Sequence, residues 1–307
     1  MDIERLNRSF GAPGRIAFKT GFAGYPEVAL TSRYGSAEVA LLGGAVLSYK
    51  PTGQPQVLFR PARREYNRGE SMHGGMPLCW PQFGNRAIPG MGGHGFARVC
   101  LFSVRGSEYT EETSEVTLGL KSSDETRMLW PHDFDLELKI SVSMKLNATL
   151  TTRNDGTEPF SFSAGFHPYF LVRDRLLASV EGLDGCSFVD ARDMSEGVQR
   201  GTFAEPAACD HVFELKPSPR HEMALVDRSL ERAVAVVSSG SGNAVVWNPG
   251  AEGEGSVHDL EAGDWRKFLC VEPVTGWPSA STTLKPGESH SLAVAVQSTL
   301  GGVDENA

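Results

Sequence analysis

The sequence predicts an all-β chain, mostly antiparallel and with little helix, and two observations carry that expectation. Most apolar segments are short, rich in valine, leucine and phenylalanine, and bounded by glycine, proline, asparagine, aspartate or serine, as strands joined by turns are. One segment alternates without interruption: Phe134, Leu136, Leu138, Ile140, Val142 and Met144 fall on one face, and Asp135, Glu137, Lys139, Ser141, Ser143 and Lys145 on the other.

Successive side chains of a strand point to opposite sides of its sheet, so that alternation predicts a half-buried strand over residues 135–145. Further strands are expected at 38–42, 45–50, 115–120, 159–164, 233–238, 244–247, 268–272 and 291–297. Together they predict an antiparallel β-sandwich, whose broad sheet face can carry polar side chains converging on a ligand. A chain of 307 residues lies within the range of one sandwich, and no repeat or low-complexity linker divides it. A single domain over 1–307 is expected, with ends frayed at about 1–13 and 301–307.

Composition narrows the function classes. The hydrophobic share of 40% and charged share of 22% are those of an ordinary globular protein, and a formal net charge of -9 gives no basic footprint for nucleic acid or an anionic membrane. No apolar stretch approaches the roughly 18 residues of a membrane span, and the charged, glycine- and proline-containing start does not read as a signal peptide. The expectation is a cytoplasmic protein, monomeric, acting on a small molecule. Cys79, Cys100, Cys186, Cys209 and Cys270 are scattered and form no CxxC pair, which argues for free thiols and against a disulfide framework or a structural zinc site.

Three segments carry the chemistry. Residues 72–98 read MHGGMPLCWPQFGNRAIPGMGGHGFAR, with seven glycines and three prolines, which predicts an irregular, shaped loop. It offers His73, Gln82, Asn85, Arg86, His94 and Arg98 beside the apolar Trp80, Phe83 and Phe96, and a polar pocket with aromatic walls suits a sugar. The same glycines and aromatics would equally serve a structural loop plugging the end of the sandwich. In FSFSAGFHPYF, residues 160–170, His167 stands between a strand-like run and an aromatic turn. In KFLCVEPV, residues 267–274, Glu272 ends an apolar strand, and Pro273 is expected to end its pairing. A carboxylate in that setting is paired, hydrogen-bonded or functional. Taken singly, His167 fits a packed core histidine, Glu272 half of an ion pair, and Asp210 a turn residue.

At these residues the chain resembles the aldose 1-epimerase superfamily, and within it the glucose-6-phosphate 1-epimerase branch. The resemblance spans nearly the whole chain and rests on ordered segments: GGMPLCWPQFG at 74–84, HGFAR at 94–98, WPHDF at 130–134, HPYF at 167–170 and CVEP at 270–273. It implies a galactose-mutarotase-like β-supersandwich that interconverts the α and β anomers of a hexose 6-phosphate without a cofactor or metal. It further implies His167 as acid, Glu272 as base, and Asp210, His94 and Arg98 as substrate contacts, with His73 and Gln82 beside them; Asn248 and Pro249 match a family Trp-Asn-Pro segment. Two positions depart from the phosphate-binding branch, which usually has arginine at the place of His73 and glutamine at the place of Gly93. Arg60, Arg63, Arg64, Arg68 or Arg86 could supply the missing charge. Alternative readings are a mutarotase of unphosphorylated aldoses, a noncatalytic carbohydrate-binding protein, and a glycosidase using Asp210 and Glu272 as its carboxylate pair.

Overall fold

The computed structural model describes residues 2–62, 72–84, 91–205, 208–277 and 281–301. Among them the structure is built mainly of antiparallel strands, as the alternation and turn residues predict. Strands Ile16–Thr20, Pro26–Ser32, Gly35–Ala40 and Val46–Pro51 form a four-stranded meander. One eight-stranded sheet runs, in spatial order, through Ala178–Glu181, His221–Asp227, Arg232–Ser239, Ser289–Leu300, Leu146–Asn154, Phe134–Val142, Ser114–Lys121 and Ser103–Tyr109.

A second sheet carries the candidate site. Its order is Ser195–Val198, Ser187–Asp190, Cys209–Glu214, Asn243–Asn248, Phe268–Thr275, Ala164–Phe166 and Leu78–Cys79, and Tyr169–Leu171 also pairs with Phe268–Thr275. A single contiguous apolar cluster joins side chains of both large sheets and the meander, including Val39, Leu138, Leu150, Phe213, Val236, Leu269 and Val271. No helix among the described residues is long and apolar enough to cross a membrane. All five cysteines are free, as their scattered spacing predicts.

Three expectations are corrected. The first residues do not fray: Ile3–Phe10 is a helix whose first turn is capped by the Asp2 carboxylate, which accepts from the amides of Glu4 and Arg5, and which buries Leu6 in the core. Residues 302–307 of the other expected frayed end lie outside the described residues. Met144 continues the apolar alternation in sequence but is 60% exposed, because the strand stops at Val142 and Ser143–Lys145 turns the chain into its neighbour.

Pro273, finally, does not end its strand; Phe268–Thr275 runs through it, with Ala244 paired opposite. The opposite flank of this strand explains the tolerance. There Ala164–Phe166 pairs with Val274 and Thr275, and Tyr169–Leu171 pairs with residues 268–270, so the register is empty opposite 271–273. A residue with no N–H to give costs least where no partner strand asks for one.

Candidate active site

That gap in the sheet builds the site. His167 and Pro168 fill the break between Ala164–Phe166 and Tyr169–Leu171, and the His167 amide leaves the ladder to donate to the Pro77 carbonyl at 2.9 Å. The imidazole thereby stands beside Glu272, with Nε2 3.4 Å from Oε2. Both side chains are buried, at 8% and 1% exposure, yet His167 Nδ1 and Glu272 Oε2 have no hydrogen-bond partner among the described residues. Buried polar atoms are almost always satisfied, so two unpartnered ones in adjacent side chains mark a place prepared for a ligand.

The pair borders a cavity of about 480 Å³. Cross-strand register decides what else reaches it. Val245 lies opposite Glu272 and Val212, and Trp247 lies opposite Cys270 and Asp210, so Asp210 and Trp247 are carried to the same face as Glu272. Trp247 meets His167 edge-on at 5.6 Å, while Tyr169 stacks on it at 4.8 Å and an interplanar angle of 13°. Phe83 and Trp277 supply further aromatic wall.

His94 and Arg98 line the cavity from the glycine-rich loop. His94 has a left-handed backbone, φ 63°, and is fixed at both ends: its amide donates to the Gly84 carbonyl at 2.9 Å, and its Nδ1 accepts from the Gly84 amide at 3.3 Å. An Nδ1 that accepts leaves the proton on Nε2 as a donor. At Gly95 a Cβ would lie 2.2 Å from the Trp80 carbonyl oxygen, so only glycine permits the loop to return beneath His94. Arg98 follows in a short helical turn; its Nε is buried without a partner, and among the described residues no carboxylate forms an ion pair with it.

Burial and charge bias every ionisable group here. Burial holds His167 well below its ordinary value, and the neighbouring His94, Arg98 and His73 add to that. Glu272 is pushed well above the carboxylate range by burial and then by Asp210, with Arg98 opposing. Asp210 is raised to about 6 by burial and by Asp190, against Arg192. His94 is lowered to about 3 by burial, Arg98 and His73. Burial around the cavity thus disfavours charge on the groups that line it.

His73 reaches the cavity rim, but its Nδ1 is engaged by Asp259 Oδ1 at 2.6 Å and its amide by Asp259 Oδ2 at 2.8 Å. Gln82 is not on the cavity lining: it is 2% exposed and its amide donates to the Gly92 carbonyl, so it braces the loop. Trp80 and Phe96, expected as pocket walls, pack into the core against Phe134, because the loop dips into the end of the sandwich. Asn248 is likewise structural, donating to the Trp265 and Phe268 carbonyls. Arg60 is committed to Glu38, and Arg63, Arg64, Arg68, Asn85 and Arg86 lie outside the described residues. Sequence reasoning missed Tyr169, Trp247, Trp277 and Asp259. The two-residue period from His167 to Tyr169 was available as a signal; the others need the cross-strand register. Among the described residues two sets of donor atoms lie close enough to hold a metal ion, His167 with Cys270 and Glu272, and His73 with His258 and Asp259.

Residues 26–297 match the sequence profile described as aldose 1-epimerase. A Salmonella typhimurium protein with the provisional name glucose-6-phosphate 1-epimerase is 33% identical over 263 residues, which cover 84% of this chain and 87% of that one. A crystal structure from the same organism, provisionally described as a mutarotase, superposes with a TM-score of 0.86 at 28% identity, covering 97% of this chain and 99% of that one. A galactose mutarotase-like protein from Clostridium acetobutylicum shares the fold, with a TM-score of 0.72 at 17% identity and 93% and 98% coverage.

Proposed function

The chain belongs to the aldose 1-epimerase family, and from that premise we propose that it is a mutarotase that interconverts the α and β anomers of a hexose 6-phosphate, with glucose 6-phosphate its substrate. The observation that carries this reading is the His167–Glu272 pair, 3.4 Å apart, buried, and short of polar partners at the edge of a sugar-sized cavity.

Mutarotation needs one base and one acid. Glu272 takes the proton of the anomeric hydroxyl as the carbonyl forms and the bond from the anomeric carbon to the ring oxygen breaks; His167 delivers a proton to that oxygen. Rotation of the aldehyde presents its other face, and closure reverses both transfers. Burial biases both groups toward neutrality, which favours leaving the proton they exchange on the carboxyl. Passing it to the adjacent imidazole gives the carboxylate and imidazolium that ring opening uses. One proton for the pair is the count that an acid and a base together require. Asp210 and His94 are placed to bind hydroxyls, and Trp247 and Trp277 to wall the sugar faces.

The phosphate rests on Arg98, whose guanidinium has no carboxylate partner among the described residues, and on the names of the relatives. Five free thiols suit a cytoplasmic enzyme, and the reading requires no partner chain. The test is anomer exchange by saturation-transfer NMR on glucose and glucose 6-phosphate side by side. Arg98→Ala is expected to raise KM for the phosphorylated sugar by about 10- to 150-fold, the loss of a charged hydrogen bond of roughly 1.5–3 kcal/mol, and to leave glucose nearly unchanged. A preference for free glucose, or equal losses on both sugars, overturns the phosphate assignment.

A further inference from the structure

We propose that His73, His258 and Asp259 form a binding site for a zinc-class divalent cation at the rim of the cavity, with one coordination position open toward the sugar. One donor atom from each of the three lies within 4.8 Å of the others. Four-coordinate zinc, with bonds near 2.0–2.1 Å, spaces its ligand atoms on the order of 3.3 Å apart, so no pair of the three has to shift by more than roughly 1.5 Å. Two imidazoles and a carboxylate are a donor set that zinc accepts with a fourth position left over.

The anchor of the site is rigid. Asp259 is 3% exposed at its side chain and receives both the amide and the ring nitrogen of His73, which keeps its carboxylate from turning away. To hold both residues the ion takes the place of the proton between His73 Nδ1 and Asp259 Oδ1, which stand 2.6 Å apart, while the His73 amide keeps its bond to Oδ2. His258 is exposed on a turn, its ring 5.3 Å from that of His73. It gives the ion a way in from solvent.

The open position follows from the cavity lining. His73 and Val257 border the space that Arg98 and His94 also border. An ion held there adds positive charge to the wall where Arg98 stands, so it favours anionic sugars over neutral ones. This last consequence rests on the reading of the cavity as a sugar site; the cation site itself does not.

The test uses the untagged full chain after treatment with chelator. Titration with zinc chloride in a calorimeter is expected to give one ion per chain, with affinity at least about tenfold weaker in His258→Ala. Because His258 is exposed, that variant should keep the circular-dichroism spectrum of the parent. Absence of stoichiometric uptake, or equal affinity in His258→Ala, overturns the site. Cobalt(II)-loaded protein is then mixed with inorganic phosphate: a change in the visible d–d bands supports the open position, and an unaltered spectrum overturns it. Neither measurement uses a sugar. Anomer exchange with and without zinc reads the remaining part: a zinc-dependent fall in KM for glucose 6-phosphate, absent in His258→Ala, supports it and an unchanged KM overturns it. A protein that binds zinc but exchanges no anomers at all refutes the proposed function and leaves the cation site standing.

Discussion

Strands Phe134–Val142 and Phe268–Thr275 belong to different eight-stranded sheets and bury their side chains in different ways. In the first, Phe134, Leu136, Leu138, Ile140 and Val142 are buried and the residues between them are at least partly exposed. In the second, every position is buried. Its odd-numbered Leu269 and Val271 enter the main core, whereas Phe268, Cys270 and Val274 face smaller apolar clusters on the cavity side, with Glu272 among them. The first strand is one wall of a core and has water behind it. The second has the core on one face and loops on the other, so a carboxylate on its outer face is dry. An ionisable group gains an unusual proton affinity from such covering, not from its own strand.

The comparison is broken most directly by exchanging activity for stability. Glu272→Gln or His167→Ala is expected to slow anomer exchange by about 10²- to 10⁴-fold, and in Glu272→Gln the urea midpoint stays put or rises, since a buried ionisable group gives way to a neutral one of the same size. Near-normal exchange by NMR in either variant would sink the pair. Leu138→Ala, in the alternating strand, should do the reverse: about 2–5 kcal/mol of stability lost to the cavity it leaves, with kcat per folded molecule unchanged. A Leu138→Ala protein that unfolds like its parent would mean the two strands do not divide their roles in this way.

Asp210 gives the smaller and subtler test. Its folded value of about 6 stands above the ordinary 3.8. Below 3.8 both folded and unfolded chains hold the proton. Between 3.8 and 6 the unfolded chain releases it and the folded chain keeps it, so this residue's contribution to stability falls as pH rises through that window and is constant above it. Asp210→Asn should therefore be more stable than the parent at pH 7 by about 1–3 kcal/mol and equal to it near pH 3.5. Urea unfolding at the two pH values measures the difference; a gap that does not change with pH removes the dry-face argument from Asp210.

How much of this was legible in the chain can be followed residue by residue. Alternation over 134–142 is local, and it predicted its strand because one-sided burial leaves a period of two. Met144 failed because the pattern carries no mark of where a hairpin turns. The N-terminal helix failed because eight residues with one buried leucine give too little pattern, although Asp2 was in place as its cap. At the site, His167 and Glu272 stood out as polar residues in apolar runs, and the ordered motifs tied them together. Gln82 was misplaced because a glycine-rich loop does not announce which side chains turn inward. Trp247 and Asp259 were missed for a related reason: each reaches the site through partners far away in sequence, Trp247 across from Cys270 and Asp259 against His73.

By itself, then, the sequence determined the class of fold and the family and singled out His167 and Glu272 as candidates, because strand periodicity, turn chemistry and ordered motifs are local properties of a chain. Only the tertiary structure decided that a break between two short strands lets His167 face Glu272, that Arg98 stands without a carboxylate partner among the described residues, and that His73 is bound to Asp259. Those facts depend on register and on what covers a sheet, and both arise from contacts between segments that no local pattern encodes.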